Sequence, residues 1–131
     1  MPRKSLDELG HLQTAIMEAL WDMGEATVQQ VLDQLSRKKK LAYTTILSAL
    51  QKLEKAGWVK HHEQGRTYVF RPKHSRGEEG QRSVRKLLKQ VFAGDPLSLF
   101  QHLLDDQSLS PEELAEFTKL INERRRESND E

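Results

Sequence analysis

The chain contains no cysteine. That excludes disulfide bridges and thiolate metal sites. Aromatic residues make up only 6% of it, so its core must be modest and largely aliphatic. No apolar run approaches the length that crosses a bilayer, and no signal peptide is recognisable. The expectation is a cytoplasmic protein with no membrane partner. A strong charge of one sign is also missing: the net charge is +1, although charged residues reach 31%. The near-balance hides an asymmetry. Basic residues outnumber acidic ones in residues 1–73, and the sign reverses in residues 74–131. A weakly basic first part joined to an acidic second part suits a nucleic-acid reader followed by an oligomerisation region.

Signatures of catalysis are lacking too. There is no glycine-rich phosphate loop and no His-Glu-x-x-His pattern. The histidines are His11, His61, His62, His74 and His102. His61 and His62 are adjacent in a strand-like run, so they point to opposite faces and cannot share one metal. His102 and Asp106 stand four apart, a spacing that reads as a solvated pair. The expectation is a protein that is not an enzyme, with no catalytic residues, no metal and no cofactor. The aromatics Trp21, Trp58, Tyr68, Phe70, Phe92, Phe100 and Phe117 suit cores better than a ligand cage.

The richest stretch is residues 41–72, LAYTTILSALQKLEKAGWVKHHEQGRTYVFRP. Ile46, Leu50 and Leu53 recur at helical intervals, flanked by Leu47 and Ala49, and make one apolar stripe. Gly57 suits the left-handed position just past a helix. Tyr43, Thr44, Thr45, Ser48 and Lys52 lie largely on other faces. Short hydroxyl side chains there can approach base edges, and Lys52 can reach phosphate. No Ser, Thr or Asp precedes Ala42 to cap this helix. Trp58 to His62 and Thr67 to Arg71 then alternate apolar and polar residues around a connection that contains Gly65 and Arg66. This predicts a hairpin ended by Pro72. Arg66, with Lys60 and Arg71, is placed for phosphate or minor-groove contact.

Upstream, Leu12, Ile16, Ala19 and Leu20 form one helical stripe closed by Trp21 and Met23 before Gly24. Thr27 is the expected cap of a short helix that buries Val28, Val31, Leu32 and Leu35. The basic residues Arg37, Lys38, Lys39 and Lys40 enter the third helix, in position to meet phosphates. Together these parts predict a winged helix-turn-helix.

The blocks Ile16-Met17-Glu18-Ala19-Leu20-Trp21, Ala26-Thr27-Val28, Leu41-Ala42-Tyr43-Thr44-Thr45-Ile46, Leu53-Glu54-Lys55-Ala56-Gly57 and Gly65-Arg66-Thr67-Tyr68 match in order and spacing the penicillinase-repressor family. These are the winged-helix repressors of β-lactamase and methicillin-resistance operons and their copper-responsive relatives. The resemblance is strong over residues 9–72 and weaker through the C-terminal helices. It implies a homodimeric repressor on double-stranded DNA, at an inverted-repeat operator of TACA/TGTA type. It also implies a regulatory protease as a partner of the antibiotic-responsive members. Here the Asn-Phe bond cleaved in those members is replaced by His102-Leu103, so the cleavage site is unassigned. The copper-responsive cysteine hook is absent.

The predicted fold class is mainly α with a small β-hairpin wing. Residues 1–73 form the winged-helix DNA-binding domain and residues 74–131 a C-terminal helical dimerisation domain. The expected DNA-binding residues are Lys38, Lys39, Lys40, Tyr43, Thr44, Thr45, Ser48, Lys52 and Arg66. A polar linker over residues 73–80 precedes a helix over residues 81–93, a short apolar helix from Leu97, and a third helix. Ser110, Pro111 and Glu113 give that third helix a capping box, and its tail from Arg124 reads as frayed. Its buried face is expected to be Leu114, Phe117, Leu120 and Ile121. The expected dimerisation residues are Val84, Leu87, Leu88, Val91, Leu103, Leu114, Phe117, Leu120 and Ile121, because helices this short are marginal alone. Two rival readings are a winged helix that binds only protein and a nonspecific DNA-associated protein.

Overall fold

The computed structural model describes residues 4–37, 39–106 and 108–130. A 3-10 turn at Leu6–Glu8 leads into α1 (His11–Met23), β1 (Ala26–Thr27), α2 (Val28–Leu35), α3 (Tyr43–Lys55), β2 (Val59–Gln64) and β3 (Thr67–Pro72). Three helices follow: α4 (Arg76–Phe92), α5 (Pro96–Asp105) and α6 (Pro111–Asn129). The chain packs as two units, Met1–Lys86 and Leu87–Glu131.

In the first unit α1, α2 and α3 close around one core. Ile16, Met17 and Leu20 of α1 meet Val28 and Val31 of α2, and Ile46, Leu50 and Leu53 of α3, with Trp58 just before β2 and Val59 and Phe70 from the strands. The spacing of the helical residues is that of one face per helix, so each helix buries a single stripe. Gly24 at φ 83 and Gly57 at φ 88 let the chain turn sharply after α1 and α3. Thr27 caps α2 as expected: Gln30 N–H donates to its hydroxyl at 3.1 Å, and its own N–H donates to the Gln30 side chain at 2.9 Å.

The sheet has three antiparallel strands in the order β1-β3-β2. The sequence predicted only a hairpin. Ala26 and Thr27 add a strand by pairing with Phe70 and Val69. Two residues are too short to carry a period of two, so this strand is invisible to pattern. It makes β3 central, and neighbouring Val69 and Phe70 are consequently both buried. The outer strand β2 is exposed beyond Val59. Pro72 ends the pairing as expected: it is the last residue of β3, opposite Val59.

The expected linker over residues 73–80 is mostly helix, since α4 begins at Arg76. Tertiary contacts draw the helix start back. The Trp21 ring N–H donates to the His74 carbonyl at 2.9 Å. Arg76 pairs with Asp22 at 3.0 Å and lies 5.6 Å over the Trp21 ring. Further along α4, Lys86 is gripped by the N-terminal segment. Its ammonium donates to the Ser5 hydroxyl at 2.7 Å and to Glu8 at 2.6 Å, and lies 3.3 Å from Asp7.

In the second unit, Asp95 caps α5 through the Leu97 N–H at 3.1 Å. Ser110 and Glu113 close the expected capping box at 3.1 and 3.0 Å. The frayed tail is not observed. α6 continues to Asn129, carried by helix-forming Glu and Arg residues and an Arg124–Glu127 pair at 3.3 Å. Within a single chain the face expected to be buried on α6 is open: Leu114, Leu120 and Ile121 are 39, 54 and 53% exposed, and Phe117 is half-buried. Two helices and the end of a third cannot enclose those side chains by themselves. Among the described residues no helix is long and apolar enough to cross a membrane.

Leu50 is fully buried at the centre of the first core. Leu50→Ala should lower unfolding free energy by about 2–5 kcal/mol, read by urea denaturation. A loss below about 1 kcal/mol would mean that the core does not close on α3.

The N-terminal clasp should respond to acid. The Ser5 hydroxyl and the Lys86 ammonium hold Asp7 below the usual carboxylate range, and Lys86 followed by Ser5 does the same to Glu8. Glu8, then Asp7, raises Lys86 above the usual lysine range. The carboxylate contribution is complete above the ordinary carboxylate range and is lost as pH falls through the depressed values. The lysine contribution is lost only as pH rises through its elevated value. The protection of the residue 5–9 amides, measured relative to their intrinsic exchange rates, should therefore be present at neutral pH and be lost in acid. Lys86→Met should produce the acid behaviour at neutral pH. Unchanged exchange in that variant would show that other contacts hold the segment.

Candidate nucleic-acid interface

The face of α3 opposite Ile46, Leu50 and Leu53 is exposed, and it is polar. Thr44, Ser48, Gln51 and Lys55 run down its middle at positions i, i+4, i+7 and i+11, and all four are exposed. Two clefts flank this stripe. Thr45 and Lys52, with Thr44, Ser48 and Ala49, face Leu12 and Gln13 of α1 across a cleft of about 430 Å³. On the other side Tyr43, Leu47 and Gln51 face Thr27, Val28 and Gln29 of α2 and Arg66, Thr67 and Tyr68 of the hairpin, again around about 430 Å³.

The start of α3 has no side-chain cap. Thr45 and Ile46 N–H groups donate to the Ala42 carbonyl at 3.1 and 3.2 Å, while Tyr43 and Thr44 lie at the open, positive end of the helix. Lys39 and Lys40 are exposed in the connection just before it. Lys38, expected to act with them, lies outside the described residues.

The hairpin tip is a tight turn in which Gly65 takes φ 67. A left-handed residue is what a two-residue hairpin connection requires, and glycine adopts it without strain. The turn projects Arg66, which is exposed. Besides the core packing of Val59 and Phe70, a side-chain pair ties the hairpin to α3. His61 Nδ1 pairs with the Glu54 carboxylate near the end of α3, and the His61 ring sits 4.7 Å from Tyr68 and 5.4 Å from Phe70. These contacts fix the wing relative to the helix without covering its exposed face.

The expected set is therefore divided. Tyr43 and Arg66 share the wing-side cleft, and Tyr43 is 47% exposed. Thr44, Thr45, Ser48 and Lys52 share the α1-side cleft. Lys60 and Arg71 are not at the tip with Arg66. The register pairs them with each other next to Val59 and Pro72, at the root of the hairpin. Sequence reasoning missed Gln51, Lys55 and Tyr68. The helical spacing of Gln51 and Lys55 from Thr44 was available as a signal. For Tyr68, 46% exposed beside Arg66, only the fold reveals the cleft it lines.

Most of the candidate dimerisation residues are exposed within their own units. Val84 falls in the first unit and is 49% exposed. In the second unit Leu87, Val91 and Leu103 are 41, 65 and 41% exposed, and Leu88 is half-buried. Phe117, Leu120 and Ile121 join Phe100, Arg124 and Arg125 around a groove of about 610 Å³. His102 and Leu103 lie inside α5, where His102 Nδ1 donates to the Ser98 carbonyl at 2.8 Å. A protease acting there would first have to unwind this turn.

The family described as Penicillinase repressor matches residues 9–123. The chain is 23% identical over 120 residues to the penicillinase repressor of Bacillus licheniformis, covering 92% of this chain and 94% of that protein. It is 40% identical over 74 residues to the transcriptional regulator BlaI of Mycobacterium tuberculosis, a match covering 56% of this chain and 54% of that protein. The chain thus spans about half the length of the second relative. The solution structure of the DNA-binding domain of the repressor BlaI superposes with a TM-score of 0.50 at 24% identity, over 57% of this chain and 92% of that one. That likeness is one of fold.

Proposed function

Because the chain belongs to the penicillinase-repressor family of DNA-binding transcriptional repressors, we propose that it acts as a homodimer on an inverted-repeat operator of TACA/TGTA type and represses by occluding polymerase. Its role is one of binding: members of this family are repressors and not enzymes. The observation that carries the proposal is the bare polar face of α3 opening onto the same cleft as Arg66. A helix of this kind fits a major groove, and a basic wing beside it reaches the adjacent backbone. Tyr43, Thr44, Thr45, Ser48 and Lys52 meet the groove and its edges. Lys38, Lys39, Lys40 and Arg66 hold phosphates, which sets affinity and register but not sequence.

The second copy is argued from the second unit. Among the described residues of Leu87–Glu131 none is buried, and Leu97, Val91 and Leu104 are 76, 65 and 58% exposed. An apolar surface this extensive signals a partner. A second copy of the chain supplies a matching surface through a two-fold axis, which also presents two α3 helices to two half-sites. Linking two weak half-site contacts raises affinity without new contacts. Leu87, Leu88, Val91, Leu103, Leu114, Phe117, Leu120 and Ile121, with Val84, are the residues assigned to this interface.

Selection from a randomised duplex pool should enrich an inverted repeat. Enrichment of nothing would leave a nonspecific DNA-associated protein, and absence of binding at low salt would favour a protein-binding winged helix. Arg66→Ala should weaken binding to every sequence and reduce the slope of log affinity against log salt by about one unit. An unchanged slope would place the wing off the DNA. Leu120→Asp should shift the dimer toward monomer in analytical ultracentrifugation, and an unshifted dimer would place the interface elsewhere.

A further inference from the structure

We propose that Gln51 is a base-reading residue and that it selects adenine in the major groove. The inference rests on the DNA-binding reading above and deepens it. Gln51 extends the Thr44–Ser48 line by one turn on the exposed side of α3. Its neighbours on that line carry single hydroxyl groups, which donate or accept and so discriminate weakly between bases. A glutamine amide has a donor and an acceptor side by side. Adenine presents the complementary pair at its major-groove edge, N7 as acceptor and the N6 amino group as donor.

Two further observations single out this side chain. Gln29 and Gln30 at the start of α2 are already engaged within the protein: Gln29 donates to Asp33 at 2.8 Å, and Gln30 accepts from the Thr27 N–H at 2.9 Å in the capping box. The Gln51 amide has no hydrogen-bond partner among the described residues. It also lines the wing-side cleft across from Arg66 and Tyr68, beside Tyr43 and Leu47. A DNA strand passing through that cleft would present a phosphate to Arg66 while the adjoining base edge faces Gln51.

The test uses the full-length protein and its selected duplex. One adenine per half-site is replaced in turn by 7-deazaadenine, which keeps the amino group and loses only the N7 acceptor. At one position the wild-type protein should lose affinity by roughly 2- to 13-fold per half-site, the range for one of the two hydrogen bonds of the contact. Gln51→Ala should lose the adenine preference at that position and be indifferent to the deaza substitution, with its salt dependence unchanged. Gln51→Glu, which can only accept while ionised, should shift the preference there toward cytosine. Gln51 is exposed and alanine favours helix, so circular dichroism should show both variants folded. A selected sequence that is identical for wild type and Gln51→Ala, with the deaza penalty retained, overturns the assignment and leaves the repressor reading standing. A wild-type protein with no sequence preference overturns both.

Discussion

Everything in the first unit depends on the burial of one side of α3. Ile46, Ala49, Leu50 and Leu53 are all drawn into the core formed with α1, α2 and the roots of the strands. Burying a Leu or Ile side chain contributes roughly 1.5–3 kcal/mol, so this stripe fixes the rotation of α3 about its axis. That rotation decides which residues stay outside. Thr44, Ser48, Gln51 and Lys55 are exposed because they lie opposite the stripe. The exposed polar face is a consequence of the buried one, and a shift of one residue in the apolar pattern would turn it away.

The hairpin takes its position from the same core. Trp58 and Val59 are buried directly after the Gly57 turn, and Phe70 enters from the opposite strand. The short strand β1 pairs with Phe70 and Val69, which locks β3 between two partners. The His61–Glu54 pair then joins the wing to the far end of α3. A cleft with a polar helix on one wall and Arg66 on the other follows from these constraints. It is shaped by backbone pairing, not by any motif in the chain. Exposed ion pairs such as Arg76–Asp22 add little free energy, but with the Trp21 hydrogen bond they determine where α4 starts.

The second unit follows the opposite logic. Its helices are well specified one by one. Asp95 and Ser110 cap them, Pro96 and Pro111 open them, and apolar stripes run along them. Yet the stripes remain exposed within a single chain. Local signals can form a helix without providing anything for its apolar face to meet. The proposed association with a second copy would answer that deficit, and the same proposal calls for two α3 helices on an inverted repeat.

The sequence by itself determined the helices, their caps and the division of α3 into two faces. These are set by contacts three or four residues apart, so Thr27, Ser110, Gly57 and the Ile46–Leu50–Leu53 stripe could be read directly. Family kinship was legible for the same reason, through blocks at fixed spacing. Only the tertiary structure decided the rest. It added β1, whose two residues carry no periodic signal. It placed Lys60 against Arg71 at the root of the hairpin, because register depends on partners far apart in the chain. It drew the start of α4 back to Arg76 through Trp21 and Asp22. It put Gln51, Arg66 and Tyr68 around one cleft, and it left the α6 stripe uncovered. Each of these depends on what lies nearby in space, and a pattern along the chain records only what lies nearby in sequence.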